Sequence, residues 1–216
     1  MSTSRDDYLK TIFELGGADS HVSNKAISEN LGISPASVTE MINKMQADDT
    51  VEYIPYKGTK LSEEGKLQGA KLVRRHRLWE VFLYDKLDYS WENVHDEAEV
   101  LEHNVSDFFI EKLADFLGEP KYCPHGGAIP DEEGHMPSES QKPLTDFSAG
   151  DTIRIQRVTD DKEFLMYFDK LGLKIGKKYE LKEIESFTND YVLEKKGNDF
   201  AVNLAAAKHI FVDDEN

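Results

Sequence analysis

The sequence predicts an α+β chain in three parts: a helical N-terminal segment ending in a hairpin, an all-α middle, and a small antiparallel β-barrel. Three observations carry this prediction. Capped helical repeats of apolar residues fill the first fifty positions, a proline-free helical texture runs through 65–118, and short alternating strands with glycine turns follow Thr145. The expected domains span 1–65, 66–143 and 144–216.

In the first part, Asp6 or Asp7 is placed to cap a helix whose Tyr8, Leu9, Ile12, Phe13 and Leu15 recur at helical spacing, and Gly16-Gly17 ends it. Ser23 caps a second helix with Ala26, Ile27 and Leu31 as its apolar positions. A tight Leu31-Gly32-Ile33-Ser34 link follows. Ser34 then caps a third helix and Pro35 takes its first position, where a missing N–H costs nothing. Val38, Met41, Ile42 and Met45 form the apolar face of that helix. The run from Val51 to Leu61, with β-branched and aromatic residues around Lys57-Gly58, predicts a hairpin.

Helix, short glycine-containing turn and helix make a helix-turn-helix, and the hairpin supplies a wing. The third helix exposes Ser34, Ser37, Thr39, Glu40 and Lys44, while Pro35 or Ala36 suits a thymine methyl in a major groove. Lys57, Lys60 and Lys66 are placed to reach phosphate. An ordinary three-helix packing unit is the plain alternative, and the lysine-bearing hairpin favours double-stranded DNA.

A formal net charge of −16 argues against a nucleic-acid binder until its distribution is read. Residues 1–75 are nearly balanced, with ten Lys/Arg against eleven Asp/Glu, whereas 76–150 carry five against seventeen. The acid is concentrated in the middle, where a cation site or a solvated helical face uses it. Glu99, Glu102 and His103 stand at i, i+3 and i+4, with His95 one turn earlier, and His76 and Glu80 pair at i and i+4. Two antiparallel helices would gather a mixed carboxylate–imidazole set suited to manganese, iron, nickel or zinc. The loop from Gly118 to Pro143 adds Cys123-Pro124-His125-Gly126-Gly127, an unusual composition for a spacer.

Cys123 is the single cysteine, which excludes an intramolecular disulfide and fits a reducing compartment. With no apolar run of ~18 residues and no signal-peptide pattern, a cytoplasmic protein without membrane association is expected.

His76-Arg77-Leu78, Val94-His95-Asp96-Glu97-Ala98-Glu99 and Leu101-Glu102-His103 resemble the metal-binding domain of the DtxR/MntR family of bacterial metalloregulators. Asp6-Asp7-Tyr8-Leu9-Lys10-Thr11-Ile12 and the Lys57-Gly58 of the wing are similar to its winged-helix part, and the last third resembles its SH3-like, FeoA-like domain. The likeness runs along essentially the whole chain. It is nearest the three-domain manganese-responsive branch, which shares the Cys-Pro-His-Gly-Gly loop.

The resemblance implies a homodimeric repressor of a palindromic operator that acts when divalent metal is bound, with manganese-uptake genes as its expected targets and no small-molecule substrate. It implies one metal set matching Glu80, Cys123, His125 and Asp160, with neighbouring Asp161 open as the alternative. A second set matches Asp7, Glu99, Glu102 and His103, with His76 adjacent, and His95 matches an ancillary ligand of iron-responsive relatives. Those relatives carry sulfur ligands where Asp7 and Glu99 stand here, and the change to carboxylate favours Mn2+. Fe2+ stays open as the alternative, and Cys123 leaves one soft donor for Zn2+ or Cd2+ in vitro. A metal-dependent hydrolase is the rival class, but no nucleophile motif or phosphate-cradling glycine loop supports it.

Overall fold

The computed structural model describes residues 4–214. These form two compact units, one comprising the chain up to His76 together with Pro130–Met136, the other Arg77–Ile129 together with the chain from Pro137 onward.

In the first unit, α1 (Arg5–Ile12) starts from Ser4 rather than from either aspartate. Ser4 Oγ accepts from the Asp7 N–H and Asp7 Oδ2 accepts from the Ser4 N–H at 2.6 Å, a reciprocal capping box. Asp7 is therefore the third residue of the helix. The expected cap at Asp6 or Asp7 is corrected to Ser4, whose short hydroxyl reaches the free N–H groups of the first turn. Helices α2 (Asn24–Leu31) and α3 (Pro35–Ala47) follow as the capping residues predict: Ser23 Oγ accepts from Ala26 N, Ser34 Oγ from Ser37 N, and Gly32 closes α2 at φ +64°. Leu9, Ile12, Ile27, Val38, Ile42 and Met45 are fully buried and form one core with Tyr8, Val51 and Leu61.

Strands β1 (Val51–Ile54) and β2 (Gly58–Leu61) make the wing, with Val51 opposite Leu61 and Ile54 opposite Gly58. Its turn is Pro55-Tyr56-Lys57, one step earlier than Lys57-Gly58, because Gly58 already pairs in β2. Gly58 sits at φ +114° against the Val22 carbonyl, where a Cβ would come within 2.3 Å. Val22 and Thr59 exchange two backbone hydrogen bonds of 2.8 Å, which tie the base of the wing to the helical core.

The long helix α4 comprises Glu63–Leu87. In the second unit come α5 (Val94–Leu101), a 3-10 turn at Glu102–Asn104, an extended Val105, and α6 (Asp107–Leu117), capped by Ser106. This cap separates α5 from α6. Helix α6 buries Ile110, Leu113 and Ala114, while Phe108, Phe109 and Phe116 are exposed.

The last third is a five-stranded antiparallel sheet of β3 (Thr152–Val158), β4 (Lys178–Ile184), β5 (Tyr191–Lys195), β6 (Asn198–Val202) and β7 (Ile210–Asp214), in the order β6-β5-β4-β3-β7. Register shifts at Ile155/Arg157 and Leu181/Glu183 bend it. Helices α7 (Lys162–Leu171) and α8 (Leu204–Ala207) complete a core around Ile153, Ile155, Leu165, Phe168, Leu181 and Leu193. No helix among the described residues is long and apolar enough to cross a membrane.

Candidate metal centre and nucleic-acid interface

Four chain segments of the second unit bring ligand-type side chains together. Helix α4 supplies Glu80, α5 supplies His95, the loop after α6 supplies Cys123 and His125, and the turn before α7 supplies Asp160. Glu80, Cys123 and His125 are buried and offer donor atoms within 4.8 Å of one another. Glu80, His95 and Asp160 do the same, so Glu80 belongs to both groups. Glu80 Oε1 lies 3.3 Å from His125 Nδ1 and 3.8 Å from His95 Nδ1, and the latter lies 3.2 Å from Asp160 Oδ2. His76, one turn before Glu80 on the same helix, is buried as well.

The loop is shaped by its own backbone. Cys123 N donates to Gly127 O and Gly126 N to Cys123 O, each at 2.9 Å, and Gly126 takes φ +84°. A Cβ on Gly126 would meet Gln156 O at 2.2 Å, so only glycine lets the loop lie against β3. Val158 N donates to the His125 carbonyl at 2.9 Å, fixing His125 to that strand. His125 Nε2 donates to the Trp91 carbonyl at 2.8 Å, leaving Nδ1 directed at Glu80, as an outer partner orients a metal-binding imidazole.

Asp160 and Asp161 are separated by their roles. Asp161 Oδ1 accepts from Phe164 N at 2.8 Å and caps α7, whereas Asp160 faces His95. His95, which the resemblance gave only an ancillary role, occupies the middle of the arrangement. Its Nε2 lies 3.8 Å from Glu99 Oε1, and Glu99, Glu102 and His103 again place donors within 4.8 Å of one another. Glu102 is 1% exposed although acidic. Asp7 belongs to the first unit, at the start of α1.

The electrostatics fit a cation. Burial pulls the His95 imidazole down, but hydrogen bonds and charge from Asp160 and Glu80 outweigh it and push its pKa up to about 11. His125 is likewise lowered by burial and then raised by Cys123 and Glu80 to about 11. Burial and the Glu80 charge push the Cys123 thiol up. Protons thus supply the positive charge that these buried acids demand. A mixed carboxylate, imidazole and thiolate donor set accepts a divalent transition metal in their stead.

In the first unit, Ser34 at the cap of α3 and Pro35, Ala36, Ser37, Thr39, Glu40 and Lys44 on the helix are all exposed. Their hydroxyls are locally engaged: Ser34 Oγ lies 2.9 Å from Ser37 Oγ, and Thr39 Oγ1 donates to Pro35 O at 2.9 Å. Lys44 Nζ donates to Glu40 at 2.7 Å. That bond holds the Glu40 carboxyl below its usual range and raises the Lys44 ammonium. Lys57 is exposed and Lys60 half-buried on the wing. Sequence reasoning passed over Tyr56, which stands fully exposed at the wing tip with φ +65°. Its signal was the turn residue next to Lys57.

Comparison with known proteins finds matches in three consecutive stretches of the chain. The family model "Iron dependent repressor, N-terminal DNA binding domain" matches residues 1–59. The model "Iron dependent repressor, metal binding and dimerisation domain" matches 62–131, and the FeoA domain model matches 142–214. The HTH-type transcriptional regulator MntR of Oceanobacillus iheyensis is 35% identical over 114 residues, which cover 53% of this chain and 77% of that protein. Among solved structures, that of the manganese regulator SloR superposes with a TM-score of 0.83 at 38% identity, covering 100% of both chains. ScaR with bound Zn2+ gives 0.84 at 35% identity, covering 98% of this chain and 100% of that one. Such full-length likeness makes the chain a member of the DtxR/MntR family of metal-dependent, DNA-binding transcriptional repressors.

Proposed function

We propose that this repressor is activated by manganese and reads a palindromic operator as a homodimer, with the cation held first by Glu80, Cys123, His125 and Asp160, and with His95 against them. The observation that carries the reading is the convergence of the buried Glu80 on both the Cys123–His125 pair and the His95–Asp160 pair. One set of side chains thereby ties the helical segment to the C-terminal sheet. A second set takes Glu99, Glu102 and His103, to which the family resemblance adds Asp7 and the neighbouring His76.

When bound, a divalent cation supplies the charge that the buried acids otherwise take from protons. Glu80 and Asp160 then serve as anionic ligands, and the family resemblance implies that Asp7 of α1 joins the second set. Fixing that link sets the spacing of two α3 helices in the dimer, which a palindrome requires to match major grooves about 34 Å apart. Linkage of this kind couples the two binding events reciprocally, typically by about 1–3 kcal/mol. Support for manganese comes from the carboxylates at positions 7 and 99 and from solved relatives named for manganese. The sulfur of Cys123 suits Zn2+ and Cd2+ as well.

The exposed Phe108, Phe109 and Phe116 of α6 and Leu87 of α4 offer the homodimer an apolar face. An operator titration at buffered free Mn2+, Fe2+ and Zn2+, for the wild type and Glu80→Ala, tests the whole reading. Tight binding restored at the lowest free Mn2+ and lost in the variant is expected. Restoration by Fe2+ alone favours the iron-responsive alternative, and equal affinity with chelator rejects metal control.

A further inference from the structure

We propose that Glu139 is a positioning residue for the metal centre, clasping the exit of the Cys123–His125 loop between α4 and β3. The inference deepens the metal-centre reading and rests on it. Glu139 lies on the segment between that loop and β3, yet its side chain is only 14% exposed.

One of its oxygens acts on the loop. Oε1 accepts from the Ala128 N–H at 2.8 Å and lies 3.5 Å from Arg77 Nη1 of α4. The same Arg77 nitrogen donates to the Ala128 carbonyl. Both faces of one buried residue's backbone are therefore held by a carboxylate–guanidinium pair, each through a charge-assisted hydrogen bond. Ala128 pairs with Tyr122, so the clasp closes the two ends of the Cys-Pro-His-Gly-Gly loop.

The other oxygen acts on the sheet. Oε2 lies 3.8 Å from Arg157 Nε of β3 and accepts from Gln141 Nε2 at 3.1 Å. Arg157 itself donates to Ser140 O at 3.0 Å and stacks over Phe211, its guanidinium carbon 3.6 Å from the ring centre. Gly126 abuts the backbone of Gln156 and Arg157 on this strand. Glu139 thus joins α4, which carries Glu80, to the loop that carries Cys123 and His125, and to the strand that leads to Asp160. Two guanidinium groups with no part among the candidate ligands converge on it. Outer-shell partners of this kind orient ligands and set affinity.

The test uses the full-length protein titrated with Co2+, whose thiolate charge-transfer absorption reports ligation by Cys123 and by no other residue. Wild type is expected to show the band. Glu139→Ala is expected to lose roughly 10–100-fold in Co2+ affinity at that band and to shift its maximum. Glu139→Gln keeps the reach to Ala128 N but not the charge, and an intermediate loss is expected. A purely architectural residue would lower the urea midpoint of the metal-free protein and leave the band maximum in place. If wild type gives no band, the metal-centre reading itself falls. If wild type gives the band and Glu139→Gln matches it in affinity and maximum, the clasp is overturned, and this holds even if Glu139→Ala does not fold.

Discussion

His95 Nδ1 lies 3.2 Å from Asp160 Oδ2, so an ion pair joins α5 of the helical segment to the turn between β3 and α7. The neighbouring Asp161 caps α7 instead. Two adjacent, chemically identical residues therefore predict opposite phenotypes. Asp160→Ala should weaken Mn2+ binding at least as much as the roughly 10-fold that loss of even an outer-shell partner costs. Asp161→Ala should leave Mn2+ affinity unchanged and cost about 0.5–2 kcal/mol of stability through the lost cap. Calorimetric metal titration and urea unfolding of both variants separate the two, and metal loss in Asp161→Ala alone reverses the assignment.

The pH dependence follows from the imidazoles. His95 and His125 are raised from 6.5 to about 11 in the folded, metal-free protein, and the Cys123 thiol is raised too. Groups raised above their unfolded pKa stabilise the fold fully below about pH 6.5, and that contribution fades as pH climbs through about 11. As ligands they must be neutral imidazole and thiolate, so metal uptake expels protons and its affinity rises with pH. Titrations in two buffers of different ionisation enthalpy should count on the order of two to three protons released per bound Mn2+. Proton-neutral binding would remove these residues from the ligand set.

Much of the fold and site was legible because its signals are local. Ser34-Pro35 announces a helix start through short-range capping chemistry, and Glu99, Glu102 and His103 share a face through spacing alone. What the sequence left unread depends on contacts that spacing does not encode. The choice of Ser4 over Asp6 or Asp7 as cap depends on which residue leaves helical geometry. Helix α6 starts afresh from its Ser106 cap after the extended Val105, burying Ile110, Leu113 and Ala114 while Phe108 and Phe116 stay exposed, a choice that depends on tertiary packing. Glu139 meets Arg77 across 62 positions, one acid among the seventeen of the middle third. His95 gained its central place only when the turn before α7 came alongside it.

The outward phenylalanines make a prediction about assembly. Phe108 is 74% and Phe116 65% exposed, a poor arrangement for a lone molecule in water. In a two-fold dimer each residue is buried twice, and each buried ring contributes about 1.5–3 kcal/mol. Phe116→Asp should therefore shift sedimentation from dimer to monomer and abolish tight operator binding while each chain keeps its fold by circular dichroism. An unchanged dimer places the interface elsewhere.

On the DNA side, the wing and α3 should separate positioning from reading. Lys57 is exposed beside the wing tip, with the base of the wing held by the Val22–Thr59 backbone pair. Lys57→Ala should weaken binding to all sequences alike and lower the slope of log affinity against log salt by about 0.9, one phosphate contact. Ser37→Ala acts on the exposed face of α3, where Ser37 Oγ is shared with Ser34. It should leave the salt slope alone and change the ratio of operator to non-operator binding. Anisotropy titrations at three salt concentrations on both DNAs measure the two quantities. A Lys57 variant with an unaltered slope would mean that the wing stands clear of the phosphate backbone, leaving α3 to hold the operator alone.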